Sequence, residues 1–118
     1  MFWGYHLLLD CGNCDRTSIG SKEHIAAFVK DLIERIDMVA VGDPVIEYLC
    51  VGDPKAGYSL MQLISTSCIT GHFMDGSGDA YIDIFSCKPF AVDIAQECVV
   101  EYFQPSKIRV NFLTRDAG

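Results

Sequence analysis

Ser67, His72 and Cys87 are the first candidates for chemistry in this sequence. Residues 65–72 read Ser-Thr-Ser-Cys-Ile-Thr-Gly-His, so a serine is followed by a histidine five positions on and, with Cys87, by a thiol twenty positions on. A serine at the junction of two extended segments, with an imidazole and a thiol in the same stretch of chain, has the residue types of a nucleophile with acid–base helpers. The other candidates are plainer. Cys11-x-x-Cys14 is not followed by the second ligand pair that a structural zinc site needs, and a polar loop, not a helix start, follows it. It reads as a pair of buried or loop thiols. Asp75-Gly76-Ser77-Gly78-Asp79 has calcium-loop character, but the position where an EF-hand needs its bidentate glutamate is Ser86. It reads as a turn. No metal site is expected. His6 alternates within an extended segment and reads as a structural hydrogen-bonding residue, while His24 falls in the first turn of a helix and reads as surface.

These residues must be positioned by regular elements, and the periodicities supply them. Residues 2–11 (FWGYHLLLDC) read as a strand, and 12–20 as loop. From Ser21, a plausible N-cap, Ile25, Phe28, Val29, Leu32, Ile33 and Ile36 mark one face of a helix. Residues 45–50 and 58–65 read as strands, and 68–73 continue extended. In 80–85, Ala80, Ile82 and Ile84 alternate with Tyr81, Asp83 and Phe85, which is the pattern of a further strand. Pro89 suits the first turn of a second helix with the stripe Ala91, Ile94, Ala95, Cys98 and Tyr102, stopped by Pro105; 108–113 read as a last strand. The order strand, helix, strands, helix, strand is α+β: a two-layer sandwich with a mostly antiparallel sheet and two helices on one face. The other sheet face is also apolar, and so short a chain has nothing left to cover it, so a homodimer through that face is expected.

Composition narrows the partners. The chain has 118 residues, consistent with one domain over 1–118, and half of them are hydrophobic. A formal net charge of −7 argues against nucleic acid or an anionic membrane. No apolar run is long enough to span a bilayer, and no secretory signal pattern is visible. The six cysteines therefore read as reduced thiols, and the protein as cytoplasmic.

Over nearly its whole length the sequence resembles the small prokaryotic S-adenosylmethionine decarboxylases, pyruvoyl enzymes made from one proenzyme. The resemblance rests on Gly4 to Asp10 with Cys14-Asp15, on Tyr58-Ser59, Ser67 and His72, on Asp83-Ile84-Phe85-Ser86-Cys87, and on Ala91-Val92 through Gln104-Pro105-Ser106-Lys107 to Arg109-Val110. It implies that Ser67 attacks the carbonyl of Thr66, that the chain is cut into a β chain (1–66) and an α chain (67–118), and that Ser67 becomes a pyruvoyl group, with no metal required. It implies that Ser59 and His72 assist this processing and that the pyruvoyl carbonyl forms a Schiff base with the substrate amine. It further implies that Cys87 returns a proton after carbon dioxide leaves, and that Asp10 replaces an acidic residue of the family's first strand. The product would be the aminopropyl donor of spermidine synthesis. There are departures. The family usually carries Glu at the position of Thr66, His at Cys68, and Thr-Trp-Pro-Glu where Phe73-Met74-Asp75-Gly76 follow His72. An aromatic surface for adenine is expected from Phe73, Tyr58 or Tyr48. Asp53, Asp75 and Asp79 leave open a basic amino acid, ornithine or arginine, as the substrate. The substitutions beside Ser67 leave open an uncut binding domain of the same fold.

Overall fold

The computed structural model describes residues 2–118. Six strands are present among them, β1 (Gly4–Gly12), β2 (Ala40–Leu49), β3 (Gly57–Ile64), β4 (Ser67–Phe73), β5 (Ala80–Ser86) and β6 (Lys107–Arg115); buried and more exposed side chains alternate along β1, β3, β4 and β5, while β2 and β6 are exposed over nearly their whole length. They form one sheet in the order β2-β3-β4-β5-β1-β6, and every neighbouring pair is antiparallel. Three helices are present among the described residues: α1 (Arg16–Ile19), α2 (Lys22–Arg35) and α3 (Val92–Phe103). This is the α+β architecture expected from the sequence, with one helix more.

One face of the sheet supplies the core. Leu7 and Leu9 of β1 sit opposite Ile84 and Ile82 of β5, and all four are buried with Leu60, Ile64 and Ile69. Onto them α2 lays Ile25, Phe28, Val29, Leu32 and Ile33, and α3 lays Ala95, Cys98, Val99 and Phe103. Phe103 meets Phe28 edge-on at 4.7 Å between ring centroids and Phe73 at 5.0 Å. Truncating any of these rings to alanine costs about 3–5 kcal/mol. The helices are pinned to each other at the surface. Arg35 reaches Asp31 at 2.9 Å and Glu101 at 2.7 Å, and the Tyr102 hydroxyl donates to Asp31 at 2.8 Å.

Several local expectations are corrected. The segment 15–20 is not all loop: Asp15 accepts from the Ser18 N–H and caps the short helix α1. The Ser21 cap on α2 is present, with its hydroxyl accepting from the His24 N–H at 3.1 Å. His24 is not a surface residue. Its Nε2 lies 2.7 Å from the Tyr102 carbonyl, and its ring packs on Tyr102 and Phe103. Pro89 lies ahead of α3, which starts at Val92 with Ala91 as its N-cap residue; Ala91 and Ile94 are exposed, and Val99 and Phe103 complete the buried stripe instead. β2 starts five residues earlier than its apolar run suggests, because Gly42, Asp43 and Pro44 form a bulge inside it. The buried Gln62 fills that bulge, its Nε2 donating to the carbonyls of Gly42 and Leu63 at 3.2 and 2.7 Å. At the start of β3 a Cβ on Gly57 would lie 1.7 Å from the Phe73 carbonyl oxygen, so only glycine fits there.

Candidate active site

Ser65 and Thr66 form the two-residue turn of the β3–β4 hairpin, and Ser67 opens β4, paired across to Ile64 and Ser86. The bond between Thr66 and Ser67 is held from several sides. The Thr66 carbonyl accepts the Cys87 N–H at 2.9 Å, and the Thr66 hydroxyl lies 2.8 Å from the Ser86 hydroxyl and 3.3 Å from Met38 Sδ. The turn is tied down by the Ser65 N–H, which donates to the Val39 carbonyl at 2.9 Å. An N–H aimed at a carbonyl oxygen is the arrangement that stabilises negative charge when that carbon is attacked. Ser67 itself is half-buried with φ 156°, and Cys87 is exposed directly after β5.

The uncovered face of the sheet carries the rest. Phe85, paired to both Cys68 and His6, is the centre of an aromatic shelf at this end. Trp3 lies 5.6 Å from it, the His6 ring 5.3 Å, and the Arg115 guanidinium 5.1 Å above its ring. Trp3 is 57% exposed. A cleft of about 430 Å³ opens here between Trp3, Phe85, Arg115, Asp116 and Ala117. Among the described residues His6 is the imidazole of this end, and it is held between Asp83 (3.4 Å) and Arg115 (3.3 Å), as its strand position suggested.

Ser59 and His72 are brought together, but elsewhere. They face each other across β3 and β4, with Ser59 Oγ 3.1 Å from His72 Nδ1. His72 lies five residue steps along an extended strand from Ser67, roughly 16 Å at about 3.3 Å per residue. Within one copy, then, the histidine is not beside the serine. His72 continues a polar row through Tyr81 to Asp10 and Arg109. The last three line a second cleft, of about 460 Å³, together with Asp79 and Lys107.

The three rings offered as an aromatic surface for adenine do not form one surface. Phe73 is buried under Phe103. Tyr58 is paired with Tyr48 on the far edge, edge-on at 5.2 Å, and packs against the core, while the Tyr48 hydroxyl donates to Asp75 at 2.6 Å, which raises the Tyr48 pKa. Trp3 and Phe85 form an aromatic pair at a cleft that sequence reasoning did not single out. Their signal was present: Trp3 is the lone tryptophan, at the mouth of β1, and Phe85 shares the outward parity of Asp83. The acidic residues that pointed to a basic amino acid are occupied locally. Asp53 accepts the Lys55 N–H, Asp75 the Tyr48 hydroxyl, and Asp79 the Asn13 N–H. Cys11 and Cys14 are buried free thiols. The hydrogen bond between them raises the Cys11 pKa, burial adding to this, and lowers that of Cys14. Among the described residues no three His, Cys, Asp or Glu side chains converge as a metal site would require, and no helix is long and apolar enough to cross a membrane.

Comparison with known proteins adds to this geometry. The family described as S-adenosylmethionine decarboxylase matches residues 5–116. Among solved structures the chain is similar to the adenosylmethionine decarboxylase from Aquifex aeolicus, with a TM-score of 0.84 at 19% identity over 99% of this chain and 93% of that one. No curated protein matches it by sequence.

Proposed function

Because the chain belongs to the S-adenosylmethionine decarboxylase family, we propose that it removes carbon dioxide from S-adenosylmethionine through a pyruvoyl group made from its own Ser67. The observation that carries this reading is the Thr66–Ser67 turn, whose carbonyl accepts the Cys87 N–H at 2.9 Å. The residues fit the group. A serine at the start of a strand, preceded by a polarised carbonyl, is what conversion to a pyruvoyl end requires. Ser67 Oγ attacks the Thr66 carbonyl carbon. The C–N bond breaks as the ester C–O bond forms, and the freed amine takes up the hydroxyl proton. Loss of the Ser67 Cα proton then breaks the ester, releasing Thr66 as a carboxylate. The dehydroalanine left at 67 tautomerises, takes up water and loses ammonia. Such a group at position 67 would supply a carbonyl able to take the substrate amine and an electron sink for the bond to the departing carbon dioxide.

The remaining roles belong to side chains of this chain. Cys87, whose N–H meets the Thr66 carbonyl, carries the thiol that holds the proton returned to the substrate carbon. Trp3 and Phe85 offer flat π surface for adenine at the same end of the sheet. A second copy covers the open face, where Val41, Val45, Met61, Leu63 and Leu113 are all exposed. A two-fold axis that runs across the strands in such a contact would set the His72 end of one copy against the Ser67 end of the other. The Ser59–His72 pair then serves the partner's serine as hydrogen-bond partner and base, and Asp10 lines the substrate cleft. The product is the aminopropyl donor for polyamine synthesis. Intact mass is the test. Fresh wild-type protein is expected to show fragments 1–66 and 67–118, the second blocked to Edman degradation, and to release carbon dioxide from S-adenosylmethionine. Protein that stays whole and does not react with phenylhydrazine overturns the reading.

A further inference from the structure

We propose that Ser86 is a positioning residue for the self-cleavage, fixing both the Thr66 side chain and the N–H that holds the Thr66 carbonyl. The proposal rests on the reading that the Thr66–Ser67 bond is cut. Ser86 ends β5 directly across from Ser67 and is fully buried. A hydroxyl has one donor and two acceptor sites, and the geometry uses all three. Ser86 Oγ donates to the Lys88 carbonyl at 2.9 Å and accepts the Lys88 N–H at 3.0 Å, which leaves its second acceptor site for the Thr66 hydroxyl 2.8 Å away.

Each of these bonds bears on the scissile carbonyl. The two to Lys88 close residues 86–88 into a tight turn, and the Cys87 N–H lies inside it. That turn is anchored at its far end, where Lys88 Nζ donates to the Asp37 carbonyl at 2.6 Å and its carboxylate at 3.1 Å. So the donor that meets the Thr66 carbonyl at 2.9 Å sits on a backbone fixed by Ser86. The third bond fixes Thr66 itself, on the acyl side of the cut. One buried hydroxyl therefore sets the distance between the carbonyl and its donor. A buried polar group that only stabilised the end of a strand would not need a bond across to the residue before the cut.

The test uses full-length chains carrying Ser86→Ala, Ser86→Thr or Thr66→Val. Cleavage is followed by intact mass with and without hydroxylamine, which cuts an ester but spares an amide. Ser86→Ala is expected to slow cleavage roughly tenfold, the effect of losing about one hydrogen bond at the step of attack. Hydroxylamine-driven cleavage should slow by the same factor, since the ester forms slowly. Ser86→Thr keeps the hydroxyl and should recover most of the rate. Thr66→Val removes the same bond from the other side and should slow cleavage whether or not the Ser86 variants fold. Cleavage of Ser86→Ala or Thr66→Val at the wild-type rate overturns the assignment. So does wild-type-like hydroxylamine cleavage of Ser86→Ala, which would put the defect after the ester. Wild-type protein that stays whole in both conditions overturns the processing reading itself, and the Ser86 role with it.

Discussion

At one end of β4, Ser67 stands with Cys87, Ser86 and the Trp3–Phe85 shelf; at the other, His72 bonds Ser59 in a row that leads to Asp10. The first end has a polarised peptide carbonyl, and its imidazole, His6, is already committed to Asp83 and Arg115. The second has an imidazole bonded to a serine and an adjoining cleft, with Ser67 roughly 16 Å away along the strand. Each end is chemically incomplete by itself. Between them lies the open face with its exposed apolar residues, through which the proposed dimer would join one end to the other in a second copy. The covered face teaches the converse: its residues interlock with α2 and α3 and leave nothing for a partner to complete.

The largest effect is expected from separating the two ends genetically. Chains with Ser67→Ala or His72→Ala should each stay whole when made alone. Made together, they should form mixed dimers in which the Ser67→Ala copy lends its His72, and a fraction of the His72→Ala chains should be cut. Absence of any cut chain in co-expressed, co-purified material would show that the pair does not act between copies, and would break the comparison.

A smaller effect sharpens the first end. Trp3→Ala should raise KM for S-adenosylmethionine roughly tenfold, since stacking a base on an aromatic ring contributes about 1–3 kcal/mol. Trp3→Phe should lose less. A KM unchanged in Trp3→Ala would remove the shelf from the substrate site.

The smallest effect lies far from both ends, in the pin between α2 and α3. Hydrogen bonds from Arg35 and Tyr102 hold the Asp31 carboxyl below the usual carboxylate range. A carboxyl with a lowered folded pKa stabilises fully above its unfolded value, about pH 4, and loses that contribution as pH falls through the folded value. Asp31→Asn should therefore lower the thermal midpoint slightly at pH 7 and flatten its decline below pH 4, read by circular dichroism melts. The group is exposed at the surface, so the shift should be small.

Much of this organisation was legible in the residues, and the misses have physical causes. The period of α2 and the alternation of β5 are strong because each element packs a single continuous stripe. The α3 stripe was legible at Ala95 and Cys98 and missed at its margins: Ala91 and Ile94 are exposed, and their apolar neighbours Val92, Val99 and Phe103 turn to the core, a choice that only packing makes. The early half of β2 was hidden by Gly42 and Pro44, residues that signal turns and here make a bulge. Phe73 could have been recognised as core, because it shares the parity of Ile69 on β4. The distance between Ser67 and His72 was implied by reading 68–73 as extended. Their closeness in sequence suggested closeness in space, and a strand denies it. The Ser59–His72 pair needed the β3–β4 register, which a one-residue slip would have destroyed.

The strand order has a consequence for what a nicked molecule would be. A break in the β3–β4 turn leaves one piece with β1, β2 and β3 and another with β4, β5 and β6. Across the sheet those pieces dovetail: β1, from the first, is clasped between β5 and β6 of the second. Neither could slide away without unzipping several ladders at once. Covalent continuity would matter for assembling the molecule and hardly at all for keeping it assembled.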